Sequence, residues 1–353
     1  MKLQRLCGAH LHDTLRWSHE ARFDGRTLAI AAIGAGVPIL AGLAAGRPAL
    51  GLTIGLGSML LAGDMPGEAA PQPRPPLGTI LLPVLLAVVL ATALAPVPGH
   101  DVATIALAGF AATFTNYSRP AAIGAIRFIV YFVLNLSLME GAGAHGGGAA
   151  LLFGLGALWR AELRIAFRKR GHAPKEVMPA PGRTPTPAQR RIHWRRTLRT
   201  LQGWQYPLRL AAGLAAACLV RDLWPAHHFG WIILTVALLT PRQIEHLPVQ
   251  ITQRAIGNLI GVGAVGMILH ANPPLAVLGL LAALLATVAP LARAGNYLLY
   301  SAVSTPVILL AMDIGKPLEP ALLGDRLIAT LGGSAIVVAA NLAMDRWLCA
   351  SAA

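Results

Sequence analysis

Apolar residues fill most of the chain in long runs that are separated by short polar turns. Twelve such runs can be marked, in two groups of six on either side of one long hydrophilic stretch. About twenty apolar residues of helix cross about 30 Å of hydrocarbon. The pattern predicts an all-α polytopic membrane protein with about twelve transmembrane helices. The predicted segments are 27–46, 49–63, 77–96, 102–115, 121–138, 149–166, 207–225, 229–241, 255–270, 274–291, 297–312 and 326–348.

Composition agrees with a membrane protein and disfavours a soluble one. Of the 353 residues, 55% are hydrophobic and 12% are charged, whereas soluble domains carry about 25% charged residues. The 37 glycines and 26 prolines lie largely inside apolar runs, which membrane helices tolerate. Cys7, Cys218 and Cys349 have no paired spacing, so we expect no disulfide framework, no metal site and no cofactor.

The basic residues cluster on one predicted side of the membrane. The net charge of +14 is compatible with nucleic-acid binding, but its distribution in loops argues against that partner. Because basic loops mark the cytoplasmic side, both termini are predicted to be cytoplasmic. The inside receives the N-terminal segment, Arg74, Arg119, the 160–206 loop, Arg242, Arg254, Arg293 and Arg346, and the outside receives only Arg47, Arg221, Lys316 and Arg326.

Two hydrophilic stretches accompany the apolar groups. Residues 1–26 are polar and basic with leucines at roughly helical spacing, which predicts a cytoplasmic interfacial helix. Residues 167–206 form a basic, Pro-rich linker with an amphipathic helix, whose start is predicted at Thr186 from Pro187 and Gln189. The linker charge would attract anionic lipid headgroups or gather anionic substrate. The regions are 1–26, a first six-helix repeat over 27–166, the linker 167–206, a second repeat over 207–348, and a cytoplasmic tail over 349–353.

Matching features recur at offsets close to half the chain. Asn116-Tyr117 corresponds to Asn296-Tyr297, and the Gly-Thr that opens the third segment corresponds to the Gly-Asn near the ninth. Six segments per group is an even number, so the two groups would have the same orientation, related by a pseudo-two-fold axis along the membrane normal. The sequence thus predicts a tandem duplication, with a permeation path between the halves.

The most specific stretch runs from Phe229 to Val262, where an apolar helix, a polar turn and a second helix follow one another. It contains, in order, Trp231, Thr235, Thr240-Pro241, Arg254 and Gly257-Asn258. This order resembles the fusaric acid resistance (FUSC) and aromatic acid exporter family, in which a Trp-containing helix, a Pro turn, an Arg and a Gly-Thr-x-x-Gly helix follow in sequence. Asn258 stands where that family usually carries Thr.

The resemblance implies a multi-pass protein of the bacterial inner membrane that exports aromatic or other weak organic acids and is not an enzyme. Typical family members carry large cytoplasmic domains after each six-helix half, so this chain resembles a compact form. Inside-negative potential favours anion exit by about 2.3 kcal/mol per charge per 100 mV. The implied partners are a small organic anion and periplasmic or outer-membrane efflux proteins. Separately, Gly-rich helix faces such as Gly42-x-x-x-Gly46 and Gly257-x-x-x-Gly261 would support a homodimer.

Candidate binding residues begin with one arginine and two short segments. Segments 49–63 and 229–241 occupy matching places and are short for a span, which points to a site near the midplane; close packing through small residues gives the same pattern. Arg127 interrupts an apolar segment, where a guanidinium is costly unless it faces a partner or water. It would hold a substrate carboxylate or extend to the interface.

Polar residues at helix ends extend the predicted binding set. Amides would donate to an anion and tyrosine rings would stack on an aromatic one, although the same residues serve as helix caps and interface belts. Thr79 and Asn258 are predicted to begin helices, where free amides attract anions. The full set is Arg127, Asn116, Tyr117, Thr79, Asn258, Asn296, Tyr297, Trp231, Thr235 and Thr240.

Proton coupling would require acidic or histidine side chains. Glu140, Asp313, His227 and His228 lie on the predicted outer side and are candidates for that role. No carboxylate lies at mid-membrane in the predicted segments, so we expect no buried relay.

Three other functions fit the sequence less well. An anion channel of the plant malate-channel type is one alternative, because those distant relatives also pair six-helix halves. A non-transporting component of an envelope efflux assembly is a second. A membrane enzyme is disfavoured, since no nucleophile–base pair or metal motif lies in the predicted helices.

Overall fold

All regular secondary structure in the described part of the chain is helical. The computed structural model describes residues 10–18, 25–61, 77–142, 146–167, 185–225, 227, 229–240, 242, 247–313 and 320–352. A short helical turn over 10–15 precedes the membrane helices. We call residues 10–18 the N-terminal segment.

The first half contains six helices. The first of them includes a π-helical turn, Ala32–Gly36, and the fourth continues into a 3-10 turn, Phe114–Asn116. The helices are α1 (Gly25–Ala44), α2 (Pro48–Leu61), α3 (Leu77–Leu94), α4 (His100–Thr113), α5 (Arg119–Ala142) and α6 (Gly146–Ala166).

The linker and the second half contribute seven more helices. The capping box predicted at Thr186 is confirmed, because its side chain accepts from the Gln189 amide and its own amide donates to the Gln189 side chain. The helices are α7 (Pro187–Thr197), α8 (Leu201–Leu223), α9 (Gly230–Leu239), α10 (Leu247–His270), α11 (Leu275–Gly295), α12 (Tyr297–Asp313) and α13 (Pro320–Ala352).

The predicted apolar segments coincide with α1–α6 and α8–α13, which confirms an all-helical membrane protein. Six helices are long and apolar enough to cross a membrane, judged by length and composition. The count of twelve spans therefore stays a prediction. The six spans are Gly25–Ala44, Leu77–Leu94, Arg119–Met139, Val249–His270, Leu275–Gly295 and Leu323–Trp347.

The two halves meet along their second and fifth helices. Helix α5 packs on α9, and α2 packs on α12. Within the span of α5, 89% of the residues are buried, and α9 is buried along nearly its whole length. These short or fully enclosed helices therefore lie at the centre of the bundle, where the apolar core runs continuously through both halves.

The same helix pairs pack in both halves when each half is numbered from its first helix. Helix α2 packs on α6 as α9 packs on α13, and α3 packs on α5 as α10 packs on α12. The first helix of each half also packs on the fourth helix of the other, α1 on α11 and α8 on α4. The halves are therefore interlocked rather than placed side by side.

Glycines bring some of these helices into backbone contact. A Cβ at Gly57 or Gly156 would collide with a carbonyl of the facing helix, Phe153 or Ile54 respectively. On α10, a Cβ at Gly257 would likewise collide with the carbonyl of Leu298. Small residues thus set the closest helix distances, as is usual in membrane bundles.

Candidate functional site

Arg127 lies at the centre of the bundle, on α5. Only 2% of its surface is exposed. One turn further along, the buried Tyr131 donates its hydroxyl to the Leu60 carbonyl on α2. Tyr131 lies within electrostatic reach of Arg127 and of Arg293 on α11. The environment of Arg127 therefore includes a second cation, which comes from the other half of the chain.

Arg293 is held beside Tyr300 of α12. Its Nη1 donates to the Tyr300 hydroxyl at 3.3 Å, and its guanidinium carbon lies 4.8 Å from the centroid of that ring. Tyr300 is also within electrostatic reach of Tyr131. Arg127 and Tyr131 from the first half and Arg293 and Tyr300 from the second half form one group, which we call the central cluster.

Tyr297, a predicted binding residue, connects the central cluster to α10. Its ring stacks on Tyr300 with centroids 6.0 Å apart. Its hydroxyl accepts from Nη1 of Arg254 at 3.3 Å. Arg254 is 5% exposed, so a further buried guanidinium stands next to the central cluster.

A second polar group lies inside the second half. Asn258 is fully buried; its amide donates to the Thr330 hydroxyl of α13 and its carbonyl accepts from the Thr305 hydroxyl of α12. One turn before Thr330, the guanidinium carbon of Arg326 lies 3.5 Å from the centroid of the Trp231 ring. We call Trp231, Arg254, Asn258 and Arg326 the second-half cluster.

The prediction that Asn258 opens a helix is wrong. Helix α10 begins at Leu247, and Asn258 lies in its fourth turn. The first turns of α10 contain polar side chains, and these form hydrogen bonds with the N-terminal segment. His10 shares a hydrogen bond with Thr252 at 2.9 Å, and Gln253 donates to the Thr14 carbonyl at 3.0 Å. Thr79, by contrast, is the third residue of α3 and half-buried.

Arg127, the one arginine that the sequence analysis placed inside an apolar segment, is joined there by two others. Arg254 and Arg326, assigned from the sequence to opposite membrane surfaces, both lie inside candidate spans. A signal was present, because Arg326, Thr330 and Ser334 repeat every four residues and form a polar stripe on α13. The arginines that are at least nine-tenths buried are Arg127, Arg160, Arg209, Arg254 and Arg326.

Arg160 and Arg209 form hydrogen bonds that connect their helices to other parts of the same half. Nη1 of Arg160 donates to the Ile30 carbonyl at 2.6 Å, immediately before the π-helical turn of α1. Arg209 donates to the Asn341 side chain on α13 and to the Arg242 carbonyl. Each guanidinium thus bonds to backbone or amide oxygens within its own half, and Nε of Arg160 has no hydrogen-bond partner in the described structure.

Asn116 and Tyr117 join the linker to the first half. Asn116 donates to the Gly203 carbonyl of α8 at 2.9 Å, and Tyr117 packs edge-on against Trp194 of α7. Trp194 also stacks on Phe114. A cavity of about 600 Å³ opens here, and its lining includes Asn116, His193, Arg196, Tyr206 and Arg242.

Asn296 holds the N-terminal segment against the second half. Its carbonyl accepts from the Leu298 amide at 2.7 Å, which caps α12, and its amide donates to the carbonyls of Thr14 and Arg16 at 3.1 and 3.0 Å. The Ser18 amide donates to the Gly295 carbonyl. The N-terminal segment therefore docks on the turn between α11 and α12 of the second half, and the linker docks on the turn between α4 and α5 of the first half.

Thr235 and Thr240 are bonded within their own helix. Their hydroxyls donate to the carbonyls of Trp231 and Val236 at 2.9 and 2.7 Å. Gly333 of α13 faces the Thr235 side chain closely. In this structure Thr235 thus acts in the packing of α9 on α13.

Of the residues considered for proton coupling, only His227 has a described side-chain contact. Its Nδ1 lies 2.8 Å from Oδ1 of Asp325, which is 5% exposed and adjacent to Arg326. Glu140 and Asp313 lie in the last turns of α5 and α12, and their side chains are outside the described part. His228 lies outside the described residues.

The helices and the buried arginines together indicate a multi-pass, all-helical membrane protein with cationic groups in its interior. Residues 214–340, which contain the second-half cluster, match the family described as fusaric acid resistance protein-like. This match covers a little over a third of the chain and agrees with the resemblance to the FUSC family found in the sequence. No curated protein and no solved structure matches the chain.

Proposed function

We propose that the protein exports aromatic or other weak organic acid anions across the bacterial inner membrane, along a path between its two halves. The central cluster is the observation that carries the proposal. Arg127 from one half and Arg293 from the other lie within electrostatic reach of the same buried tyrosine, Tyr131 of α5. The FUSC match supports transport or efflux as the general activity.

The chemistry of the central cluster suits an organic anion. A guanidinium inside a membrane bundle costs a few kcal/mol unless water, a partner or a ligand stabilises it. Its planar fork fits a carboxylate, and tyrosine rings offer faces and hydroxyls to an aromatic acid. Both charged groups that act on Tyr131 are arginines, so the local field favours an anion.

The interlocked halves support a path at their junction. We infer twelve spans in two parallel repeats, because the same helix pairs pack in each half and because first and fourth helices are exchanged between halves. The second and fifth helices, which include the short α2 and α9, would line the path. Short helices at corresponding places are typical of the substrate region of duplicated transporters.

The basic residues support an orientation with both termini in the cytoplasm. In that orientation the linker helix α7 lies at the inner surface, where none of its residues is buried. Its arginines would contact anionic lipid headgroups. The membrane potential alone would then drive anion exit, since no step requires a buried carboxylate.

The test uses the purified chain in liposomes. Charge movement is recorded with benzoate and with a dicarboxylate, first under an imposed potential and then under a pH gradient. We expect current that follows the potential, and at least a tenfold loss in Arg127→Ala, because a bidentate bond to a charged group contributes about 1.5–3 kcal/mol. Arg119→Ala, at an exposed position of the same helix, is the matched control and should conduct normally.

Other outcomes would change the proposal in defined ways. Flux that requires the pH gradient would replace potential-driven export with proton coupling and direct attention to His227, Glu140 and Asp313. Unsaturable current with every small anion would favour a channel. Absence of flux with any anion would favour a non-transporting component of an efflux assembly.

A further inference from the structure

We propose that Arg326 and Arg254 bind the carboxylate group of a small organic acid inside the second half, above the ring of Trp231. The site is distinct from the central cluster, although the expectation that its ligand is an organic acid rests on the proposed function.

Arg326 is enclosed but incompletely bonded. It is 1% exposed, and it lies inside the candidate span of α13. One face of its guanidinium is covered by Trp231 at 3.5 Å. Nε and Nη2 are buried and have no hydrogen-bond partner in the described structure. Buried polar atoms are nearly always hydrogen-bonded, so two orphaned donors on one group call for an explanation.

The two orphaned donors point to a carboxylate in particular. Nε and Nη2 lie on the same edge of a guanidinium and direct their N–H bonds in parallel. That edge is the one that binds both oxygens of a carboxylate. A carboxylate in this position would be coplanar with the guanidinium, and Trp231 would continue to cover the face.

Arg254 adds a second positive charge to the same place. It is 5% exposed, its Nε is also without a partner, and it lies within electrostatic reach of Arg326. No ion pair joins either arginine to a carboxylate within the described part of the chain. Asp325, the neighbour of Arg326, bonds to His227. A bound anion would balance two charges that otherwise repel.

The surrounding polar groups are already bonded to one another. Asn258 bonds to Thr305 and Thr330, and the Thr330 hydroxyl also donates to the Arg326 carbonyl. None of these side chains is hydrogen-bonded to either guanidinium. The oxygen atoms that the two arginines lack would therefore come from a ligand.

The second-half cluster is also connected to the central cluster. Arg254 donates to the Tyr297 hydroxyl, and Tyr297 stacks on Tyr300. An anion released by Arg254 would next meet the tyrosines and arginine of the central cluster. A substrate would therefore meet two cationic binding sites in succession, first the second-half cluster and then the central cluster.

Thermal unfolding of the purified full-length chain tests the site without requiring transport. Wild type, Arg326→Gln and the matched control Arg346→Gln, an exposed position of the same helix, are compared with and without benzoate at constant chloride. Without benzoate, Arg326→Gln should be the more stable protein, because an unpaired buried charge has been removed. At saturating benzoate wild type should become the more stable, while Arg346→Gln follows wild type throughout.

A second variant distinguishes the bidentate geometry of the guanidinium from its positive charge. Arg326→Lys keeps the cation but cannot bind both carboxylate oxygens, so benzoate affinity by isothermal titration calorimetry should fall about ten- to hundredfold. An unchanged benzoate response in Arg326→Gln would overturn the site. Equal stabilisation by added chloride would overturn the assignment to a carboxylate.

Liposome flux distinguishes this proposal from the export function. Benzoate flux that is normal in Arg326→Gln would overturn the site and leave export standing. Binding that depends on Arg326, in a protein that moves no anion, would leave the site standing and refute export.

Discussion

The two halves share one packing scheme but use it for different chemistry. In the first half, α2 and α6 meet backbone to backbone through Gly57 and Gly156. In the second half, the corresponding helices α9 and α13 also pack closely, because a Cβ at Gly333 would collide with the Thr235 side chain and approach the Ile232 carbonyl. This second pair of helices also carries the Trp231 ring and the Arg326 guanidinium, which contact each other.

The two halves also use their buried arginines differently. The first half places its buried Arg160 against a backbone carbonyl of its own α1, which is a structural use. The second half places Arg326 where Nε and Nη2 have no hydrogen-bond partner in the described structure, and there we propose a carboxylate ligand. The family match falls on the second half.

The largest expected effect comes from closing the narrow contact in the first half. Gly156→Ala should destabilise the protein by about 1–3 kcal/mol or more, because its Cβ would collide with the Ile54 backbone, which cannot rotate away. Gly148→Ala on the same helix has open space around it and should be neutral or slightly stabilising. Thermal unfolding in detergent measures both, and equal stability of the two variants would contradict the backbone contact.

An intermediate effect is expected from the buried asparagines, one in each half. Asn258→Leu removes bonds to two other helices and should cost about 1–2 kcal/mol, since interhelical bonds in membranes contribute about 0.6 kcal/mol each and two partners are left unsatisfied.

Asn135→Leu on α5 is the comparison. Asn135 donates only to the Tyr131 carbonyl of its own helix, and its Oδ1 has no partner in the described structure. The substitution should therefore be close to neutral. A larger loss for Asn135→Leu than for Asn258→Leu, measured by denaturant titration, would reverse the proposed contrast.

The smallest effect is expected at the two docking turns. Asn296→Ala removes three hydrogen bonds, two of which hold the N-terminal segment, so amides of residues 10–18 should exchange several-fold faster by hydrogen–deuterium exchange. Asn116→Ala removes one bond to α8, while Trp194 still anchors α7. Its effect on exchange in the linker helix should be smaller, and equal effects would show that the turns hold their segments equally.

The positions of the helices could be predicted because apolar runs and capping residues are local signals. Arg127 was found because it interrupts a long apolar run, whereas Arg254 and Arg326 were missed because each lies near a helix end, where hydropathy assigns a cation to the membrane surface. The start of α10 was missed for a related reason. Its polar residues Thr252 and Gln253 find partners in the N-terminal segment, which lies far away in sequence, so a distant contact overrides the local pattern.

Long-range contacts of the same kind give the predicted site residues different roles. Tyr297, Arg127, Trp231 and Asn258 lie in or beside the two clusters, while Asn116 and Asn296 hold docked segments. Nothing in the local sequence around these two asparagines distinguishes a docking role from a binding one. Only the fold brings the N-terminal segment and the linker to them.

The docking of the N-terminal segment also bears on how the protein is made. Thr14 bonds to Asn296 across 282 residues of chain, so the segment leaves the ribosome long before its partner exists. Chains that depend on such distant pairs complete their folding late. The first half must therefore remain in the membrane with its leading segment undocked until the turn between α11 and α12 has been synthesised.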